Sequence, residues 1–238
     1  MGQQAQSGSL DAETLAYKQR HYREIAYILE ATYGYPEWRP FLPPVDELVS
    51  TILSQSTSDT NRDKGFDALK ARYANWEEVR DAPLVDIVET IRPAGLANQK
   101  APRIQEALNT ITQDDGSITL DFLNDLSVPE AKAWLTGLHG IGPKTAAIIL
   151  LFAFGRPAFP VDTHVHRVTR RLGLIGAKTS ADQAHVILEA IIPPEEYFPA
   201  HLNIIQHGRR ICHARGPECG QCPLTMQCEY FLVQDRLE

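Results

Sequence analysis

The chain has 238 residues, 43% hydrophobic and 22% charged, ordinary proportions for a globular protein with enough sequence for one large domain or two modest ones. Its longest apolar run, AAIILLFAF, falls well short of the roughly 18 residues that mark a membrane span, and the first residues lack the basic-then-apolar order of a secretion signal. A membrane role is excluded on these grounds, a cytoplasmic location (nucleoid-associated, if bacterial) is expected, and the net charge of −7 argues as a total against nucleic acid.

Residues 1–9 carry no apolar periodicity and read as a disordered tail. AETLAYKQRHYREIAYILEATYG then repeats apolar residues at three- and four-residue spacings and stops at a glycine. PPVDELVSTILSQS enters through prolines and places Val45, Leu48, Val49, Ile52 and Leu53 on one face. DTNRDKGFDALKARY, PLVDIVETI, NQKAPRIQEALNTIT and SVPEAKAWLTGL follow, divided by Pro, Gly or Asn-Asp punctuation. After GLHGIGPKTAAIILLFAFGRPAFPVDTH come VDTHVHRVTRRLGL, SADQAHVILEAII and EEYFPAHLNIIQHGRRIC. No stretch sustains a period of two, so the expected fold is all-α.

The charge is unevenly placed. Residues 1–137 hold 13 Lys/Arg against 21 Asp/Glu, whereas residues 138–176 hold Lys144, Arg156, Arg167, Arg170 and Arg171 against Asp162 alone. Residues 203–228 add Arg209, Arg210 and Arg215 against Glu218. A polyanion responds to the field within about 10 Å more than to the total. A solvated basic face is the plainer reading, and nucleic acid stays open beside it.

All four cysteines, Cys212, Cys219, Cys222 and Cys228, fall in CHARGPECGQCPLTMQC with the spacing C-x6-C-x2-C-x5-C. Disulfides are disfavoured in a reducing compartment, and four thiolates so close together suit a metal centre. Zinc ribbons normally pair two C-x2-C knuckles on separate turns. One central C-x2-C with longer arms suits a larger object, a [4Fe–4S] cubane, with zinc as the alternative on spacing alone. His164 and His166 form H-x-H, but alternate helix positions point apart, which argues against a metal pair.

These cysteines, LHGIGPKTA before them and VDTH between resemble the endonuclease III family of helix-hairpin-helix base-excision glycosylases. ILSQSTSD, GLANQKA and HGRRIC match further stretches of that family in the same order, from about residue 30 to 230. The resemblance implies two helical lobes: a six-helix barrel over 36–156 that ends in the hairpin, and a cluster lobe built from 10–35 and 157–238. It implies a [4Fe–4S] cluster on the four cysteines and a bifunctional glycosylase/AP lyase that acts as a monomer on double-stranded DNA containing damaged bases or abasic sites. Oxidised pyrimidines are the expected lesions. The alternatives are a G·U/G·T mismatch glycosylase and a non-catalytic, redox-sensitive DNA-binding module.

The stretch from Gly137 comes within one residue of the phosphate loop G-x4-G-K-[ST], which Pro143 spoils. By resemblance, a helix ending near Leu138 turns through Gly140-Ile141-Gly142 and restarts at Pro143, its free N–H groups facing a DNA phosphate. Lys144 is the implied nucleophile at the sugar C1′, its amine kept neutral by partial burial and nearby positive dipoles. Asp162 is its implied partner, stabilising a cationic sugar or helping to deprotonate the amine; it also reads as a helix N-cap. Base extrusion leaves a hole in the stack, which Gln55 is implied to fill while Leu96 wedges from the other side. Further DNA contacts are expected from His139, Gly140, Gly142, Thr145, Arg167 and Arg209.

The sequence departs from the family in three places. His139 stands where proline is usual, Pro143 where a basic residue is common, and SQSTSD is not the commonest form of the Gln motif. Lys144, and the expectation that no further domain follows the cysteines, argue against the adenine-mismatch relatives.

Overall fold

The computed structural model describes residues 10–235, so the tail expectation for 1–9 lies outside it. The described chain is helical, its only β feature a lone bridge between Thr112 and Ile118, and the all-α expectation holds. Its contacts divide it into two compact units, Arg39–Arg156 and the described residues of Met1–Trp38 with Pro157–Glu238.

The Arg39–Arg156 unit contains α2 (Pro44–Ser54), α3 (Asp59–Arg72), α4 (Trp76–Asp81), α5 (Leu84–Thr90), α6 (Ala97–Thr110), α7 (Val128–Gly137) and α8 (Pro143–Ile148). The last of these runs on as a π-helical turn, Ile149–Ala153. Helix α2 is buried on every side from Val45 to Leu53 and packs against α3, α6, α8 and the π-turn. Leu48, Val49, Ile52 and Leu53 are buried in this core, as are Ile104, Leu108, Ala146 and Leu150 of the elements around α2, each large side chain worth about 1.5–3 kcal/mol on burial. The periodicity of α2 thus marked the unit's centre. Its buried Asp46 accepts from Trp76 Nε1 at 2.6 Å and pairs with Lys70 at 3.3 Å, so α4 is fixed by a long-range bond.

The other unit is built from α1 (Ala12–Tyr33), α9 (Thr163–Arg171), α10 (Ala181–Ile191), α11 (Tyr197–Arg210) and α12 (Glu229–Asp235). Tyr22, Ile25 and Leu29 form the buried stripe of α1, which packs on α10 and α11. Lys18 fastens the helix further by donating to the carbonyls of Gly173 and Leu174. Helices α9 and α11 meet at Gly208, where an added Cβ would lie 3.1 Å from His164 Cβ. That approach brings the cysteine loop back over α9.

Candidate active site and cysteine-lined cavity

The hairpin begins where α7, started by a Ser127–Glu130 capping box, ends at Leu138. Gly140 takes φ +82°, and a Cβ there would lie 2.9 Å from Arg103 Cδ; only glycine meets both demands. Gly142 is the extended N-cap of α8 with no side-chain cap bond, and a Cβ on it would meet nothing within 4 Å. The first N–H groups of α8 therefore lack a side-chain cap beside an open glycine surface.

Lys144 occupies the first turn of α8 and is half-buried. A carboxylate that the sequence reading passed over stands within its electrostatic reach. Glu47 on α2 is 8% exposed. Burial holds its carboxyl above the usual glutamate range, while a bond from Thr51 and the charges of Arg62 and Lys144 draw it partly back. A single glutamate in an otherwise apolar stripe was the only signal. Thr145, expected among the DNA contacts, is 7% exposed and lies against the core.

Leu96 is 48% exposed and left-handed at φ +49°. Gln55 Nε2 donates to Gly140 O at 2.8 Å, and its Oε1 accepts from Arg103 Nη1 at 3.0 Å. The structure thus brings Gln55, the hairpin and Arg103 together. His139, on the hairpin's rim, places Nδ1 3.0 Å from Glu106 Oε2.

In the other unit, Asp162 caps α9, its Oδ1 accepting from Val165 N at 2.7 Å. Arg167 spends its guanidinium inside the unit, donating to Cys212 O and Gly208 O at 2.9 Å each. His166 meets Thr179 O, whereas His164 meets Arg167, so the two histidines face apart. Arg209 borders a shallow cleft with Tyr33, Tyr35 and Arg210.

Cys212, Cys219, Cys222 and Cys228 are free thiols that line one cavity together with Arg171 and His207. Among the described residues no three His, Cys, Asp or Glu side chains converge on a single-ion position. Arg171 Nη1 donates to Cys212 Sγ at 3.2 Å, and Leu224 N donates to Cys222 Sγ at 3.4 Å. Burial, with the neighbouring cysteines adding to it, pushes the Cys222 thiol up to about 11 and raises Cys228 as well. Thiolates here require added positive charge, which a bound metal centre would supply and Arg171 would supplement. The donor set and the N–H···S bonds fit an iron–sulfur cluster.

The class these features define is that of glycine-hairpin base-excision proteins, and residues 49–194 match the HhH-GPD superfamily base excision DNA repair protein family. Endonuclease III of Thermotoga maritima is 34% identical over 188 residues, covering 79% of this chain and 84% of that one. Endonuclease III of Synechocystis sp. is 35% identical over 217 residues, covering 90% and 94%. The solved structure of a non-covalent endonuclease III–DNA complex matches with TM-score 0.78 at 28% identity, over 92% of this chain and 98% of that one. The chain belongs to the endonuclease III family. No described helix is long and apolar enough to cross a membrane.

Proposed function

We propose that this DNA glycosylase/AP lyase of base excision repair removes oxidised pyrimidines from duplex DNA with Lys144 as nucleophile. The observation that carries this reading is Lys144 on the first turn of α8, directly after a glycine hairpin whose N-cap surface is open. The neutral Nζ attacks the sugar C1′ as the C1′–base bond breaks, its electron pair leaving with the base. The resulting ammonium loses one proton, and the nitrogen lone pair then breaks the C1′–O4′ bond, O4′ taking up a proton from water, to give a protonated Schiff base. Removal of a C2′ proton then expels the 3′ phosphate by β-elimination. Asp162 supplies a carboxylate that stabilises the cationic sugar, and the exposed Leu96 enters the duplex beside the extruded nucleotide.

The four cysteines hold a [4Fe–4S] cluster in this reading. When bound, it cross-links the 212–228 loop and adds a redox-active centre. Arg171 donates to one ligand sulfur and sits over the ring of Tyr230 at 4.8 Å, so it also fixes α12 to the ligand loop. The protein acts as a monomer.

Incubation with duplexes carrying an oxidised pyrimidine, a G·U or G·T pair, or an abasic site, with borohydride present, tests the reading. A covalent adduct on the first and last duplexes that is lost in Lys144→Ala supports it. Adduct formation confined to the mismatch and abasic duplexes reassigns the lesion. No adduct on any duplex sinks the lyase chemistry.

A further inference from the structure

Helix α6 carries Lys100, Arg103 and Glu106 at three-residue steps, a slanted row along one side of the helix. Together they hold three segments: the end of α2, the 3₁₀ turn and the hairpin. Lys100 is 1% exposed, and its Nζ donates to Leu53 O at 2.7 Å and Ala94 O at 2.8 Å. Those carbonyls lie at the end of α2 and in the 3₁₀ turn Arg92–Ala94. Just beyond them stand Ser56 and Leu96, the two described non-glycine residues with positive φ, +52° and +49°. Such conformations persist only where the surroundings impose them. A buried ammonium joins the two segments that lead into them.

Arg103 makes the second connection. Its guanidinium donates to Gln55 Oε1, its stem lies under Gly140, and the Gln55 amide donates to Gly140 O. Gln55 is therefore a strut between the end of α2 and the hairpin, with both ends of its amide occupied, while the exposed Ser56 stands at the tip. Glu106 meets His139 on the same hairpin.

We propose that Arg103 is a positioning residue that couples the hairpin's hold on a DNA backbone to the Ser56 and Leu96 tips, so that gripping a phosphate and opening the stack become one event. This rests on the DNA-repair reading above. Extrusion costs a few stacking interactions, and tips fixed to the gripping element meet the duplex already placed. If the strut is cut, the grip survives and the coupling fails.

The test uses a duplex with 2-aminopurine beside an abasic-site analogue, whose fluorescence rises on unstacking and requires no chemistry. Arg103→Met is expected to bind it with nearly wild-type affinity and to lose the fluorescence rise. Excision of a damaged base should fall about tenfold further than borohydride trapping on a preformed abasic site, the scale of one lost charge-assisted hydrogen bond. Arg103→Lys, which keeps a donor, should recover part of the signal. Gln55→Met cuts the same strut from its other end, so the double variant should be no worse than either single variant. An unchanged fluorescence rise, or additive losses in the double variant, overturns the proposal. A wild type without a Lys144-dependent adduct sinks the enzymatic reading instead, and the fluorescence result still decides the coupling.

Discussion

His139 places Nδ1 3.0 Å from Glu106 Oε2, at the rim of the hairpin that is to face DNA. A histidine where proline is usual in the family thus brings with it a carboxylate on α6. Glu106 is exposed and adds negative charge close to a phosphate's expected path. Glu106→Gln is expected to strengthen duplex binding about two- to fivefold at low salt, with the gain shrinking as screening rises. Fluorescence anisotropy at two ionic strengths measures it. Weaker binding would show that the carboxylate's hold on His139 matters more than its charge.

Asp162 has two candidate roles that substitution separates. Asparagine is as good an N-cap as aspartate, whereas alanine costs helices about 1 kcal/mol. Asp162→Asn should therefore melt close to the wild type, keep the bond from Val165 N, and still lose most of its excision rate through loss of the charge. Asp162→Ala should lose both activity and stability. An active Asp162→Asn would leave the residue as a cap alone.

Gly140→Ala sets an L side chain at φ +82° and against Arg103 Cδ. The left-handed conformation alone costs roughly 1–2 kcal/mol, so denaturant unfolding should register at least that loss. Gly142→Ala meets open space without a positive φ; it should fold normally and lose duplex affinity instead. Equal effects from the two variants would remove the distinction between a turn glycine and a contact glycine.

The strongly periodic elements were legible because their signals are local. The stripe of α2, the glycine stop of α1, and the confinement of all thiols to one loop need no partner elsewhere to be seen. Helix α4 was missed, since six residues with Trp76 and Val79 buried carry no period, and Asp46, 30 residues away, fixes the tryptophan. The placement of Gln55 was illegible for the same reason, its partner Gly140 lying 85 residues on. Lys100 read as part of a family stretch and gave no hint of burial, because the carbonyls that receive it belong to other segments. Composition and period disclose what packs inside; which polar group meets which depends on the chain's closure.

Cys222→Ser is expected to yield protein with less iron per chain and weaker visible absorbance than the wild type. Arg171→Met should keep the iron on isolation and bleach faster in air, because it loses the N–H···S bond to Cys212 and its carbonyl contacts to the same loop. Iron analysis and absorbance decay follow both without reference to activity. A colourless wild type that contains zinc would overturn the cluster assignment.

Glu47 yields a prediction with a definite sign in pH. Its carboxyl is raised by burial, so between the ordinary glutamate value of about 4.3 and the raised one the folded state binds more protons than the unfolded state. Stability then falls as pH climbs through that window, and the whole penalty is present above it. Glu47→Gln removes the ionisation at almost constant volume. It should melt above the wild type at pH 7, with the difference fading near pH 4. The same substitution withdraws a negative charge from within reach of Lys144, favouring the neutral amine, so borohydride-trapped adduct on an abasic duplex should begin to rise at lower pH. A Glu47→Gln protein that melts below the wild type at pH 7 would mean that Arg62 and Lys144 outweigh burial. An unmoved trapping profile would confine the carboxylate to the core.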